Sequence, residues 1–343
     1  MKRLAALAAV VVALAARAAM ADDTLVTEYP LPAPSAFPTA IQAGAGGAVW
    51  FLEFQANLLA RFNPRDGALD EFHIPSAKSE PMDLAIDPRG VVWFTEQDAN
   101  ALGRYDPASG AFEEFLLPTP KTRPASILAA RDGRVWMLGW SSDLLVRFDP
   151  ATKSFKEYRI PTARGNAYDL AEDGQGRLWF IQRAANTLTM FDPAAGKFRE
   201  WPVAGQPQSP LGIAVDGKGS VWYLKMIDNQ LTRFDPKTGK SDYWDLPKNK
   251  GTQEIAIGPD GVLWFVQGTD NRLLRFDPAV RMFEVFDLPT GGVRPNSLCA
   301  GADGRVWFTT STPAGIGFLD ARKAGKVNQS LRTRVNAPKG LLR

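Results

Sequence analysis

The stretch PMDLAIDPRGVVWFTEQDANALGRYDPASGAFEEFLLP, residues 81–118, holds four short runs in which apolar and polar residues alternate. Aromatic and β-branched residues fill the runs, and Asp-Pro and Gly break them, the pattern of β-strands joined by tight turns. The unit recurs along the chain. Trp50, Trp93, Trp136, Trp179, Trp222, Trp264 and Trp307 stand 43, 43, 43, 43, 42 and 43 residues apart. Before each comes an apolar run such as PASILAA, AYDLAED or PLGIAVD, and after it an FDP-type turn and a closing run such as EYRIP or VFDLP. Seven repeats at this period, four strands in each and no sustained helical periodicity predict an all-β fold, a seven-bladed β-propeller of four-stranded blades.

A closed ring must hide its two ends, because an open sheet edge pairs with other chains. The last unit, Asn296 to Asp320, has three strands and lacks a clear fourth. Near the start, TEYPLP sets Tyr29 43 residues before Phe72, in the register of a fourth strand with no blade of its own. The N-terminal strand is therefore expected to complete the seventh blade.

Residues 1–21 pair Lys2 and Arg3 with an apolar stretch and small residues at Ala19 and Ala21, which reads as a secretory signal peptide. The apolar run is short and Arg17 interrupts it, so no transmembrane segment is expected. The expected location is periplasmic or secreted. Residues 22–320 then form the propeller, and residues 321–343 a basic tail with seven Lys or Arg and no acid. The propeller body carries 30 basic against 37 acidic side chains, which argues against nucleic acid as a partner. The tail suits an anionic partner, or packs on the acidic rim of its own ring. Cys299 is the only cysteine, so no intrachain disulfide forms, and its apolar run NSLCAG marks it as a small core residue. A monomer is expected.

The first strand of each blade should line the central channel. Aligned on the Trp register, these strands give a core column (Ile41, Leu84, Ile127, Leu170, Ile213, Ile255, Leu298) and a mostly small axial column from Gln42 to Cys299. Two residues before the axial column stand Ala40, Asp83, Ser126, Asp169, Gly212, Glu254 and Ser297. Strand alternation turns these toward the channel as well. Asp83, Asp169 and Glu254 are thus candidate general bases, and crowding should raise at least one of their pKa values. Solvated carboxylates in a polar channel are the alternative. Three residues past each Trp stand Glu53, Glu96, Gln182, Lys225 and Gln267, with Trp140 and Arg183 nearby. Glu53 and Glu96, with Asp83, are candidate oxygen ligands for Mg²⁺ or Ca²⁺. The recurring Asn57, Asn100, Asn186, Asn229 and Asn271 read as turn residues. His73, the only histidine, lies in an outer strand, so a histidine triad or zinc centre at the channel is excluded. No phosphate loop or dinucleotide fingerprint is present.

The unit P-x-x-[LI]-A … VWFTE-x-x-A-N-x-[LI]-G-R … EF-x-[LI]P resembles the streptogramin B (virginiamycin B) lyase family over residues 24–320. The resemblance implies a seven-bladed propeller that opens cyclic depsipeptides by Mg²⁺-dependent elimination at the ester. It also implies histidines opening the first strands of the last two blades, where Gln253 and Asn296 stand, and glutamates where Arg294 and Ser311 stand. Amides cannot take up a proton near neutrality as imidazole does, and Arg294 would repel a cation. Candidate ligand-binding residues at the channel mouth are Tyr168, Gln253, Arg294, Asn296, Lys225 and Trp140. Three readings follow: a propeller that binds a small molecule or peptide, a metal-dependent enzyme of altered mechanism acting on an ester or lactone, and an interaction scaffold.

Overall fold

A computed structural model describes residues 10–13, 25–33, 36–205, 208–247, 251–324 and 332–334. Seven antiparallel sheets form the blades of a propeller, each running in chain order from an inner to an outer strand. Blade one comprises Pro38–Ala43, Val49–Glu53, Leu58–Asn63 and Ala68–His73. Blade seven takes Pro295–Ala300, Arg305–Ser311 and Ala314–Asp320 from the end of the repeat array, and Val26–Pro30 from its start. The N-terminal strand pairs antiparallel with Ala314–Asp320, Tyr29 opposite Ile316, as the register of Tyr29 predicts.

Among the described residues, one short helix, Ala321–Ala324, and a single 3₁₀ turn, Ala45–Gly47, interrupt the β structure. Two further strands extend blade edges: Val10–Ala13 pairs with Ala68–His73, and Arg332–Arg334 with Met282–Asp287. The rest of the expected leader and most of the basic tail lie outside the described residues. Among those described, no helix is long and apolar enough to cross a membrane.

The tryptophans make the seams. All seven are at most 4% exposed. Trp50 packs against Phe94 and Tyr105 of blade two, Trp222 against Phe265 and Phe276 of blade six, and Trp307 against Phe51 and Phe62 of blade one. Each therefore fills the space between its own sheet and the next. Polar tips are satisfied as burial requires. Asp173, in the turn that leads into the strand of Trp179, accepts the indole N–H of that residue at 2.9 Å. Asp216 holds the same place in the next blade and accepts the indole N–H of Trp222 at 2.8 Å.

The recurring asparagines are turn residues, with φ between 53° and 58°. Each also latches its turn to the chain leaving the blade. Asn57 Nδ2 donates to the carbonyls of Ile74 and Ser76, while its Oδ1 accepts the Ser79 N–H at 2.8 Å. Blade three uses Asp143 at this position (φ 50°), whose carboxylate accepts the Arg164 N–H at 2.7 Å.

Candidate functional site at the channel mouth

The residue just before each inner strand lies in the left-handed region: Phe37, Glu80, Arg123, Asn166, Ser209, Gly251 and Arg294, with φ from 44° to 118°. This strained turn swings the chain from the outer strand of one blade into the channel of the next. Six of the seven residues are not glycine, so composition gives no signal of it.

Inside the turn the inner strands are bulged. Pairing breaks at Pro38/Ile41, Pro81/Leu84, Tyr168/Leu170 and Leu211/Ile213, and likewise in the other three blades. Asp169 and Gly212 take positive φ there, 59° and 62°. At Gly212 a Cβ would meet the Gln253 carbonyl at 3.1 Å, so a side chain would crowd the neighbouring blade.

The bulge sets the carboxylates to work between blades. Asp83 takes the N–H of Leu84 on one oxygen (2.9 Å) and that of Ile127, in blade three, on the other (3.0 Å). Asp169 does the same with Leu170 (3.1 Å) and Ile213 of blade five (3.0 Å). Glu254 accepts the N–H of Leu298, in blade seven, at 3.2 Å. All three line the channel cavity, as strand alternation predicts. Burial pushes Asp83 up to about 7 and Asp169 up to about 6, against the backbone donors that favour the charged form. Glu254 is raised well above the usual range, by burial first and then by the charge of Asp169.

The cavity has a volume of about 930 Å³ and opens at the mouth where the inner strands begin. Two columns wall this mouth. One is the second residue of each inner strand, including Met82, Tyr168, Gln253 and Asn296; the other lies four residues past each Trp, including Phe54, Gln97, Trp140, Arg183 and Met226. Trp140 stands edge-on to Tyr168, with ring centroids 5.6 Å apart at 85°. Burial holds the Tyr168 phenol protonated, its pKa raised first by desolvation and then by the nearby Asp169. Gln253 is exposed to the cavity, while Asn296 donates to the Pro38 carbonyl at 3.3 Å.

Three expectations need correction. Lys225 is 4% exposed and does not line the cavity; its Nζ sits 3.2 Å from Gln230 Oε1 and 3.5 Å from Asp228, over the Tyr243 ring. Arg294 is exposed outside the cavity, and its carbonyl accepts from Ser311. Glu53 and Glu96 are fully buried away from the mouth and from Asp83. They share the sheet face of Phe51 and Phe94, which pack into different seams, so they build no common ion site.

The reason is one residue of phase. Side chains three past the Trp still belong to the strand and face a neighbouring blade; those four past it clear the strand and face the mouth. What reads as a ligand column is a column of buried polar contacts. Gln182, its member in blade four, donates to Glu200 at 2.7 Å and Thr189 at 2.8 Å. Glu96 meets Glu114 at the same place, and Glu53 faces Glu71. The buried oxygens of Glu53 and Glu96 lack a well-formed hydrogen bond among the described residues, and burial pushes both groups up to about 8.

The donor set does not fit the Mg²⁺ implied by the resemblance. An amide, a second amide, an arginine and a serine hold the four matching positions. Among the described residues no three His, Cys, Asp or Glu are placed to hold a metal ion. No metal-dependent step is therefore derived for this mouth.

The fold and mouth define a seven-bladed propeller with an open, mixed aromatic and polar cavity on its axis. The chain belongs to the virginiamycin B lyase family, which matches it over residues 16–172 and 153–343. It is similar to the virginiamycin B lyase of Staphylococcus aureus (24% identity, TM-score 0.80), covering 86% of this chain and 98% of that one. A streptogramin B lyase structure is 26% identical with TM-score 0.80, over 86% of this chain and 96% of its own. A catalytically inactive histidine-to-alanine variant of the S. aureus enzyme, solved with quinupristin, is 24% identical with TM-score 0.80, over 86% and 98% of the two chains. No protein of curated function matches the chain in sequence.

Proposed function

We propose that this chain is an exported propeller that holds a small molecule or peptide at its channel mouth, on the lyase scaffold but without the histidine base. One observation carries the reading: an open cavity of about 930 Å³ whose wall presents Trp140, Tyr168, Gln253 and Asn296, with amides where the resemblance implies imidazoles. Concave, partly aromatic sites with a few convergent polar groups are what small ligands occupy. The relative described as inactive lost a single histidine, which accords with a silent scaffold here. The basic and apolar leader supports export.

Incubation with quinupristin and Mg²⁺, followed by mass spectrometry, is expected to return the intact ring. Linearised product at catalytic ratio would sink the reading. A thermal-shift screen of peptides and small metabolites is expected to give stabilising hits, and a blank screen counts directly against a binding role.

A second reading has one observation in its favour. Asp83 and Asp169 have pKa values of about 7 and about 6, where a carboxylate can serve as general base. Their bonds to two backbone N–H groups each support a tie between blades instead. Asp169→Asn separates the two readings. A binding protein is expected to lose stability, roughly 1–3 kcal/mol, while ligand affinity stays within about threefold. An enzyme of altered mechanism would lose its turnover of esters or lactones.

A further inference from the structure

One charge at the mouth is left unbalanced. Arg183 follows the strand Leu178–Gln182 and lines the cavity. Its guanidinium carbon lies 6.0 Å over the Trp140 ring. Among the described residues Arg183 enters no ion pair, and its Nε is buried without a hydrogen-bond partner. The other arginine of the mouth differs. Arg123 Nη2 lies 2.9 Å from Gln97 Oε1, 3.4 Å from Glu80 and 3.7 Å from Asp98. Its charge is answered within the protein, and that of Arg183 is not.

A buried guanidinium N–H without an acceptor is costly, and an arriving oxyanion removes that cost. The planar fork suits a carboxylate in bidentate fashion. A single unanswered cation balances one negative charge. A phosphate dianion would bring a second into a channel whose floor already holds three carboxyl groups. Beside the fork, Trp140 and Tyr168 offer an apolar wall, and elsewhere on the mouth Gln253 offers an amide that can pair with peptide groups.

We infer that the ligand presents a free carboxylate to Arg183 and an apolar group to Trp140, as an acylated amino acid or short peptide with a free C-terminus does. The inference rests on the ligand-binding reading above and names the chemical class of the ligand.

The test is isothermal titration of the full chain with N-acetylated dipeptides ending in an aromatic residue, each as the free acid and as the C-terminal amide. Free acids are expected to bind at least about tenfold more tightly than amides. The preference should vanish in Arg183→Gln, survive in part in Arg183→Lys, and weaken as salt rises. Equal binding of acid and amide to the native protein overturns the carboxylate assignment and leaves the binding site standing. So does binding of quinupristin where no dipeptide binds. If dipeptides and quinupristin alike fail to bind, the binding reading falls along with the inference. The acid-against-amide comparison needs no variant, so a poorly folded substitution does not blunt it.

Discussion

A chain begun after Pro30, lacking the strand Val26–Pro30, is expected to unfold roughly 10 °C or more below its parent and to self-associate. The strand forms five register pairs with Ala314–Asp320. Tyr29 lies 4.6 Å from Phe62 and 6.4 Å from Phe318 by ring centroids, so it binds blade seven to blade one. Leu31, just beyond, is buried and donates its N–H to the Ala314 carbonyl at 3.0 Å. Removing the strand opens a cavity in the closing seam and bares the edge of Ala314–Asp320, which is almost wholly buried. Differential scanning calorimetry and light scattering read the two effects. A synthetic peptide of residues 24–32 should reverse both when added in trans. A truncated chain that melts within about 2 °C of its parent shows that closure rests elsewhere.

The second large effect is a loss of stability as pH rises. Glu53 and Glu96 have folded pKa values of about 8 against an ordinary 4.5. Their protonated forms are therefore favoured by folding. The stability they contribute is complete below about pH 4.5 and is lost as pH rises through about 8. Gln182 shows what the position requires, since its amide donates to Glu200 as a protonated Glu96 would to Glu114. The double variant Glu53→Gln/Glu96→Gln is expected to be more stable than the parent at pH 9, by on the order of a few kcal/mol, and close to it at pH 5. The difference between the two profiles is the readout, because Asp83, Asp169 and Glu254 titrate in the same direction in both proteins. Parallel profiles from pH 5 to 9 would show that these carboxyls are charged throughout.

Most of the architecture is legible in the sequence because it is written seven times. A Trp every 43 residues supplies the register, and the register places Tyr29 in blade seven without further information. The site is less legible because it lies where the repeat stops being regular. Strand alternation brings Asp83, Asp169 and Glu254 to the channel. It does not reveal that a bulge hands their oxygens to the next blade. The same alternation, carried one residue too far, assigns Lys225 to the mouth when it is buried in a seam. Arg183 and Trp140, one position later, are the residues that reach the cavity. Nothing in the sequence marks the left-handed turn before each inner strand, since residues as different as Phe37, Glu80 and Arg294 occupy it.

The three inter-blade carboxylates have a consequence for how the ring breathes. They couple blades two to three, four to five, and six to seven. Seven is odd, so this two-by-two coupling leaves blade one as a singlet between doublets. The chain's own ends are knit together at one flank of that singlet. Loosening of the ring is therefore concentrated on the two sides of blade one, where Phe37 and Phe54 stand at the mouth. The doublets bearing Trp140, Arg183 and Gln253 hold their places while that arc yields.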